Sequence, residues 1–360
     1  MAEPLTGPSQ PLIMPPLKTH NTDNQGDDMR FSLIATLAAA ALGACLATEP
    51  TMAQTKLDMI GFGGASNLPI WVAQDKGLFA KEGLEIKLDS TPGSVYQMQN
   101  LMNGKYPIAS TSIDNIVAYY EGQGDVKIDN FDVVAVAGVH SGLNSVVGRP
   151  EIKSYQDIKG KAVAVDALGT GYAFVLFKVL EKHGLKFGQD YTIVAVGGGP
   201  QRLNALKENK AVAAVMSAPN DTEAKNLGYN ILADAAAELG GYQGSAYAVV
   251  GSWAKAHEKE TVSWLRAIVA AHDWVFANKD EALEVLKKHV KDLSDTDAQI
   301  IYASLTTGSG GLNKKAEINL AGMKTVLALR GEFATPKKNL TDPGKYMDLS
   351  YREKALAGMK

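Results

Sequence analysis

Cysteine is nearly absent from this 360-residue chain, which holds one, Cys45. A lone thiol excludes a disulfide-stapled scaffold and a zinc site built from cysteines. Charge of one sign is lacking too: 36 Lys and Arg stand against 39 Asp and Glu, a formal net charge of -3. A nucleic-acid binder needs a basic surplus to neutralise phosphates, so that class is set aside. The apolar run Phe31 to Leu42, interrupted by Ser32 and Thr36, falls short of the about 20 residues that span a bilayer. What is present is apolar material, 46% of the residues, ample for a large core. At about 150 residues per domain the length suits two domains or lobes.

The N-terminal stretch differs from the rest. Residues 1–28 carry Pro4, Pro8, Pro11, Pro15 and Pro16 and show no apolar period, so they are expected to be disordered or a mis-called extension. Residues 29–53 read as a secretory signal peptide: Met29-Arg30, the apolar run, then Pro50 and the small-x-small site Thr51-Met52-Ala53, with Gln54 as the mature start. An alternative is a lipobox-like Leu42-Gly43-Ala44-Cys45, which would make Cys45 a lipidated N-terminus. Both versions export the chain, which implies a periplasmic location. Loss of residues 1–53 removes two basic and five acidic residues, so 36 less 2 and 39 less 5 leave 34 of each and no cysteine. Cysteine chemistry is then excluded.

Beyond Gln54, short β-type runs alternate with helical patterns, the signature of α/β architecture with largely parallel sheets. Strands are expected at Leu57–Phe62, Glu85–Leu88, Ile108–Ser110, Val133–Val139, Val146–Val147, Ala162–Val165, Tyr191–Val196 and Val212–Met216. Helices are expected at Leu68–Glu82, Ser94–Asn103 with Ser94 as N-cap, Ile113–Glu121, Tyr172–His183 and Pro200–Glu208, and repeatedly beyond Ala254. Two similar βα sets suggest two lobes, 54–145 with 246–360 and 146–245, joined by crossings near Gly142–Arg149 and Tyr242–Gly251. A cleft between such lobes is a common small-molecule site.

Several strand-to-helix junctions could supply ligand contacts. Gly61-Phe62-Gly63-Gly64-Ala65-Ser66-Asn67-Leu68-Pro69 is a glycine-rich turn whose free N–H groups could meet an anion or dipole. It approximates a dinucleotide fingerprint, but Ser66 replaces the third glycine and Asp89 stands 28 residues beyond Gly61 rather than about 20. A mere tight turn is the bland alternative. Leu168-Gly169-Thr170-Gly171-Tyr172 repeats the design, with Thr170 either a ligand contact or only an N-cap. Gly197-Gly198-Gly199-Pro200 lacks the Gly-Lys-Ser/Thr of a phosphate loop and reads as a turn. Ser217 and Asn220 follow a strand and offer polar contacts. His140 ends an apolar strand beside Ser141 and reads as cleft-lining or satisfied rather than catalytic, since no oriented nucleophile accompanies it. His257, His272 and His289 lack metal-ligand spacing, so no metal or cofactor is expected.

Three stretches carry a resemblance. They are Asn67-Leu68-Pro69-Ile70-Trp71-Val72-Ala73-x-Asp75-Lys76-Gly77-Leu78-Phe79-x-Lys81-Glu82-Gly83-Leu84-x-Ile86, then Ile152-x-Ser154-x-x-Asp157-Ile158-Lys159-Gly160-Lys161-x-Val163-Ala164-Val165, and Ala213-Ala214-Val215-Met216-x-x-Pro219. The chain resembles the type II periplasmic substrate-binding proteins of ABC importers, the group of nitrate, taurine, alkanesulfonate and thiamine-precursor binders, over about Lys56 to Arg330. The resemblance implies an α/β, two-lobed binding protein, each lobe a mixed, mostly parallel sheet flanked by helices. It implies a monomer that captures a small anion and hands it to ABC permease and ATPase subunits. It also implies ligand contacts at Asn67, Leu68, Ser94, Ser112, His140, Ser141, Thr170, Gly171, Tyr172, Ser217 and Asn220. None of these is Arg or Lys, so an anion would rely on N–H groups, hydroxyls and His140. The competing expectation is a periplasmic enzyme on the same fold using His140 or Asp166. The cysteine cluster of the thiamine-precursor synthases is absent from the mature chain, which disfavours that enzymatic branch.

Overall fold

The computed structural model describes residues 54–308 and 310–359. The expected extension, the signal peptide and Cys45 lie outside the described residues. In chain order the first half contains β1 (Thr55–Gly61), α1 (Leu68–Asp75), α2 (Leu78–Lys81), β2 (Leu84–Ser90), α3 (Ser94–Met102), β3 (Ile108–Ser112), α4 (Ile113–Tyr120), β4 (Val133–His140), β5 (Ser145–Gly148), β6 (Ala162–Val165) and α5 (Gly171–Lys182). It continues through β7 (Thr192–Ala195), α6 (Gly199–Lys207), β8 (Ala213–Met216), α7 (Asn220–Asn226), β9 (Asn230–Asp234), α8 (Ala235–Leu239) and β10 (Ser245–Val250). The remainder is helical: α9 (Gly251–Ala256), α10 (Glu258–Ala277), α11 (Lys279–His289), α12 (Asp295–Thr306), α13 (Leu320–Phe333) and α14 (Ser350–Ala357).

Two five-stranded sheets share one plan. The first runs β2-β1-β3-β10-β4 and the second β7-β6-β8-β5-β9. In each, the fourth strand is antiparallel to both neighbours, and the strand before it in the chain belongs to the other sheet. β4 leaves the first sheet at His140 and β5 enters the second at Ser145; β9 leaves the second at Asp234 and β10 re-enters the first at Ser245. Each sheet is therefore mixed, with parallel pairs β1·β2, β1·β3, β6·β7 and β6·β8.

Sequence patterning accounts for the layers. β4 is buried along nearly its whole length, as its unbroken apolar run requires for a strand covered on both faces. Trp264, Leu265, Ile268 and Val269 of α10 pack with Ile70 and Val72 of α1 on one face of the first sheet. A second apolar cluster runs from Ile60, Ala109 and Ile113 through Val326 and Leu327 of α13 to Val163, Phe174 and Phe177, and within it α13 packs against both α4 and α5. Each fully buried side chain of this size contributes about 1.5–3 kcal/mol of transfer free energy.

Three expectations need correction. The helix expected over Leu68–Glu82 is two, because Gly77 adopts a left-handed φ of 67° between them. Ser94 is not the cap of α3 but its first residue; Gly93 holds the cap position and Thr91 Oγ1 accepts the Gly93 N–H at 3.3 Å. The segment read as a crossing near Tyr242–Gly251 contains β10, which pairs with Ser110 and Ala137, partners far away in sequence. Among the described residues, no helix is long and apolar enough to cross a membrane.

Candidate functional site

Strand ends and helix starts from both sheets wall a cavity of about 490 Å³. From the first sheet's side come Phe62, Gly63 and Ser66 after β1, Ser94 at the start of α3, Ser112 and Asn115 around the start of α4, and His140 at the end of β4. From the second come Asp166 after β6, Thr170 to Tyr172 opening α5, Arg202 of α6, and Ser217, Asn220 and Asp221 after β8.

The α5 start is built from the sequence outward. Thr170 is extended (φ -96°) and its Oγ1 accepts the Ala173 N–H at 3.3 Å, a genuine N-cap, while donating to Asp166 Oδ1 at 2.7 Å. Capping and cavity lining thus belong to the same residue. Gly171 allows close approach: a Cβ there would lie 2.6 Å from Asp114 Cβ and 2.7 Å from the Tyr242 hydroxyl oxygen. Asp166 also faces Arg202, whose Nη1 is 3.6 Å from Oδ1. Burial pushes the Asp166 carboxyl above the usual carboxylate range, against the pull of Arg202 and Thr170. Burial disfavours the Arg202 charge in the same way, yet a guanidinium stays protonated in proteins.

His140 is buried, and burial pushes its imidazole down to about 3, with His272 adding a smaller effect in the same direction. Nδ1 accepts the N–H groups of Gly142 at 3.1 Å and Leu143 at 3.2 Å, which assigns the ring proton to Nε2. A neutral ring with Nδ1 doubly engaged is a poor general base. Tyr172 reaches from α5 to within 3.5 Å of Ser245 Oγ on β10, and burial pushes its hydroxyl up, so it stays a neutral hydroxyl able to donate or accept. Asp221 accepts from Ser145 Oγ at 2.9 Å and from the Thr222 N–H at 2.7 Å. Ser112 Oγ and Arg202 Nε are buried in residues of this wall and have no partner in the structure.

Contacts also join one sheet's elements directly to the other's. The Ala65 N–H donates to the Ala218 carbonyl at 3.2 Å, Arg330 Nη2 to the Gly169 carbonyl at 2.8 Å, Asn226 Nδ2 to Asp297 Oδ1 at 2.9 Å, and Lys178 Nζ to Glu332 Oε1 at 2.8 Å. The glycine-rich turn after β1 thus spends its Ala65 donor on the opposite wall, which leaves the dinucleotide reading without that phosphate-facing group.

Of the expected contacts, Ser94, Ser112, His140, Thr170, Gly171, Tyr172, Ser217 and Asn220 come together in the wall, whereas Asn67, Leu68 and Ser141 do not. Asn67 turns its amide inward, Nδ2 donating to the Phe62 carbonyl at 2.7 Å, and so pins the turn. Leu68 is fully buried core. Ser141 is held by the C-terminal part of the chain, its N–H on the Gly311 carbonyl and its Oγ accepting from Asn313 Nδ2 at 2.8 Å. Sequence reasoning missed Arg202, Asp221, Ser145 and Phe62 as wall residues. A signal for Arg202 existed: it stands four residues before Leu206 on one helix face, and both are buried.

Residues 65–282 match a family model described as NMT1/THI5 like. The putative binding protein YtlA of Bacillus subtilis (strain 168) is 25% identical over 272 residues, covering 74% of this chain and 78% of that protein. Among solved structures, a protein of Bordetella bronchiseptica RB50 superposes with a TM-score of 0.71 at 20% identity, covering 85% of this chain and 98% of that one. The periplasmic nitrate-binding protein NrtA of Synechocystis PCC 6803 does so with a TM-score of 0.67 at 15% identity, over 85% of this chain and 89% of its own. A desulfurization enzyme, DSZB, shares the architecture at a TM-score of 0.60 and 13% identity, over 84% of this chain and 100% of its own. The chain has the two-lobed fold of type II periplasmic binding proteins, and that fold alone separates neither receptor from enzyme.

Proposed function

The chain belongs to the NMT1/THI5-like family, and from that premise we propose that it is an exported solute-binding receptor serving an ABC importer. The observation that carries the reading is the cavity walled by strand ends and helix starts from both sheets, with donors and acceptors converging on it. Residues 54–145 with 246–360 form one lobe and 146–245 the other, and solute entry requires the cross-cavity contacts of Ala65, Tyr172 and Asn226 to open. Binding then closes the lobes by a hinge at the segments 141–144 and 240–244. Closure excludes water and strengthens each hydrogen bond to the solute. Export through the 29–53 signal places the receptor in the periplasm, where it acts as a monomer and meets permease and ATPase subunits.

A receptor releases its solute unchanged. The enzymatic alternative needs a base, and neither candidate is free: His140 Nδ1 takes two backbone N–H groups, and Asp166 is held by Thr170 and Arg202. The resemblance suggests a small anion such as a sulfonate or carboxylate, and Arg202 is the cationic side chain in the wall that could meet one, although it faces Asp166. The test is a thermal-shift panel of sulfonates, carboxylates, nitrate, amines and pyrimidines, followed by recovery of each binding compound. At free solute about 100-fold above Kd, stabilisation should reach about 2.7 kcal/mol, with the compound recovered intact. Conversion to a product would overturn the receptor reading.

A further inference from the structure

The cavity wall carries more negative than positive charge. Arg202 is its one Lys or Arg among the described residues, while Asp125, Asp166, Asp221 and Asp234 supply carboxylates. The arginine is turned toward Asp166, its Nη1 3.6 Å from Oδ1. Asp234 is exposed, so water can screen its charge, and it commits Oδ1 to the N–H groups of Ala236 and Ala237 at the start of α8. His140 adds no charge, since both N–H donors on Nδ1 hold the ring neutral.

Asp221 is different. Its carboxylate is half-buried in the wall, and its donors, the Ser145 hydroxyl and the Thr222 N–H and hydroxyl, are all neutral. A carboxylate taken out of water without a counter-charge is costly, and an anionic solute beside it would raise that cost. Resting on the receptor reading above, we propose that the solute carries a positively charged nitrogen, an ammonium or amidinium, which Asp221 accepts in the closed cavity. The solute cation supplies the counter-charge the protein omits. Its apolar body packs on Phe62 and Ile231, which are 37% and 41% exposed, and on Leu143. Ser112 Oγ and Arg202 Nε, both without protein partners, suit an acceptor elsewhere on the same solute.

Three probes of matched shape test this on the full chain: benzylamine, benzyl alcohol and benzoate, followed by thermal shift and calorimetric titration. Benzylamine is expected to bind about ten- to a hundredfold more tightly than benzoate, the range of a charged hydrogen bond. Asp221→Asn, which removes the charge and keeps one of the two acceptor oxygens, should abolish that preference, with benzyl alcohol as the uncharged reference in both proteins. Absence of binding by benzylamine, a preference for benzoate, or a preference that survives Asp221→Asn would each overturn the proposal. Benzyl alcohol and benzoate separate the two failures: if either binds and is displaced by obstructing the cavity with Ser112→Tyr, the receptor reading stands and the charge class alone falls. Silence from all three overturns the charge class and counts against the receptor reading too.

Discussion

Replacing Arg330 by Met should remove a large part of the protein's stability, and the structure gives the size. The arginine and Asp114 are 0% and 1% exposed in their side chains. Nε donates to Asp114 Oδ1 at 2.6 Å, Nη2 pairs with Oδ2 and also donates to the Gly169 carbonyl at 2.8 Å, and the guanidinium carbon sits 5.0 Å from the Phe174 ring centre. Taking the arginine away leaves a carboxylate buried without its partner, a loss of about 3–5 kcal/mol against the 5–15 kcal/mol typical of a folded domain. Removing both charges, with Arg330→Met and Asp114→Leu together, eliminates that stranded charge. What remains is chiefly the lost charge-assisted bond to Gly169, about 1.5–3 kcal/mol. Urea unfolding followed by tryptophan fluorescence should therefore rank wild type above the double variant and the double variant above the single one, at similar m-values. Because Gly169 precedes Thr170 and Tyr172 in the cavity wall, the double variant should also bind solute more weakly. A single variant within about 1 kcal/mol of wild type, or a double variant no more stable than the single, would refute the reasoning.

Two further outcomes follow from the same geometry. His140 and His272 are buried neutral, pushed down to about 3 and about 4 from about 6.5 in the unfolded chain, so the unfolded state binds protons first as pH falls. Stability is then full above about pH 6.5 and declines below it, by about 2 kcal/mol per histidine at pH 5, and His140→Gln or His272→Gln should flatten the urea-midpoint profile between pH 7 and 5; equal midpoints for the wild type at the two pH values would contradict this. Gly244→Ala should cost about 1–3 kcal/mol, because its Cβ would meet His140 Cε1 at 2.4 Å and Nδ1 at 2.6 Å, whereas Gly63→Ala, with nothing within 4 Å, should change the melting temperature little.

How far the sequence was legible depends on where each signal resides. β4 and the strand at Ala162–Val165 were readable because an unbroken apolar run bounded by turn residues has few alternatives. β10 was not: Ser245-Ala246-Tyr247-Ala248 lies among glycines, and its strand character comes from pairing with β3 and β4, more than 100 residues earlier. The cavity residues Thr170 and Tyr172 were legible from their place at a strand-to-helix junction, a local property. Asn67 occupies a similar junction but bonds back to Phe62, and nothing in the spacing distinguishes an amide aimed at a ligand from one aimed at its own turn. Arg202 has no mark of its own in the sequence, because Gly197-Gly198-Gly199-Pro200 reads as a turn, although the helix it opens carries the arginine on its buried face. The balance of charge in the cavity is a property of packing between two distant segments, and no local pattern records it.

Backbone hydrogen–deuterium exchange with and without a bound solute tests the central claim most directly, since it reads both walls at once. If the solute closes two lobes over the cavity, protection should rise together at residues 62–66 and 112–115 on one side and at 166–172, 198–202 and 217–221 on the other. Protection confined to one sheet's segments, or appearing only away from the cavity, would contradict the account.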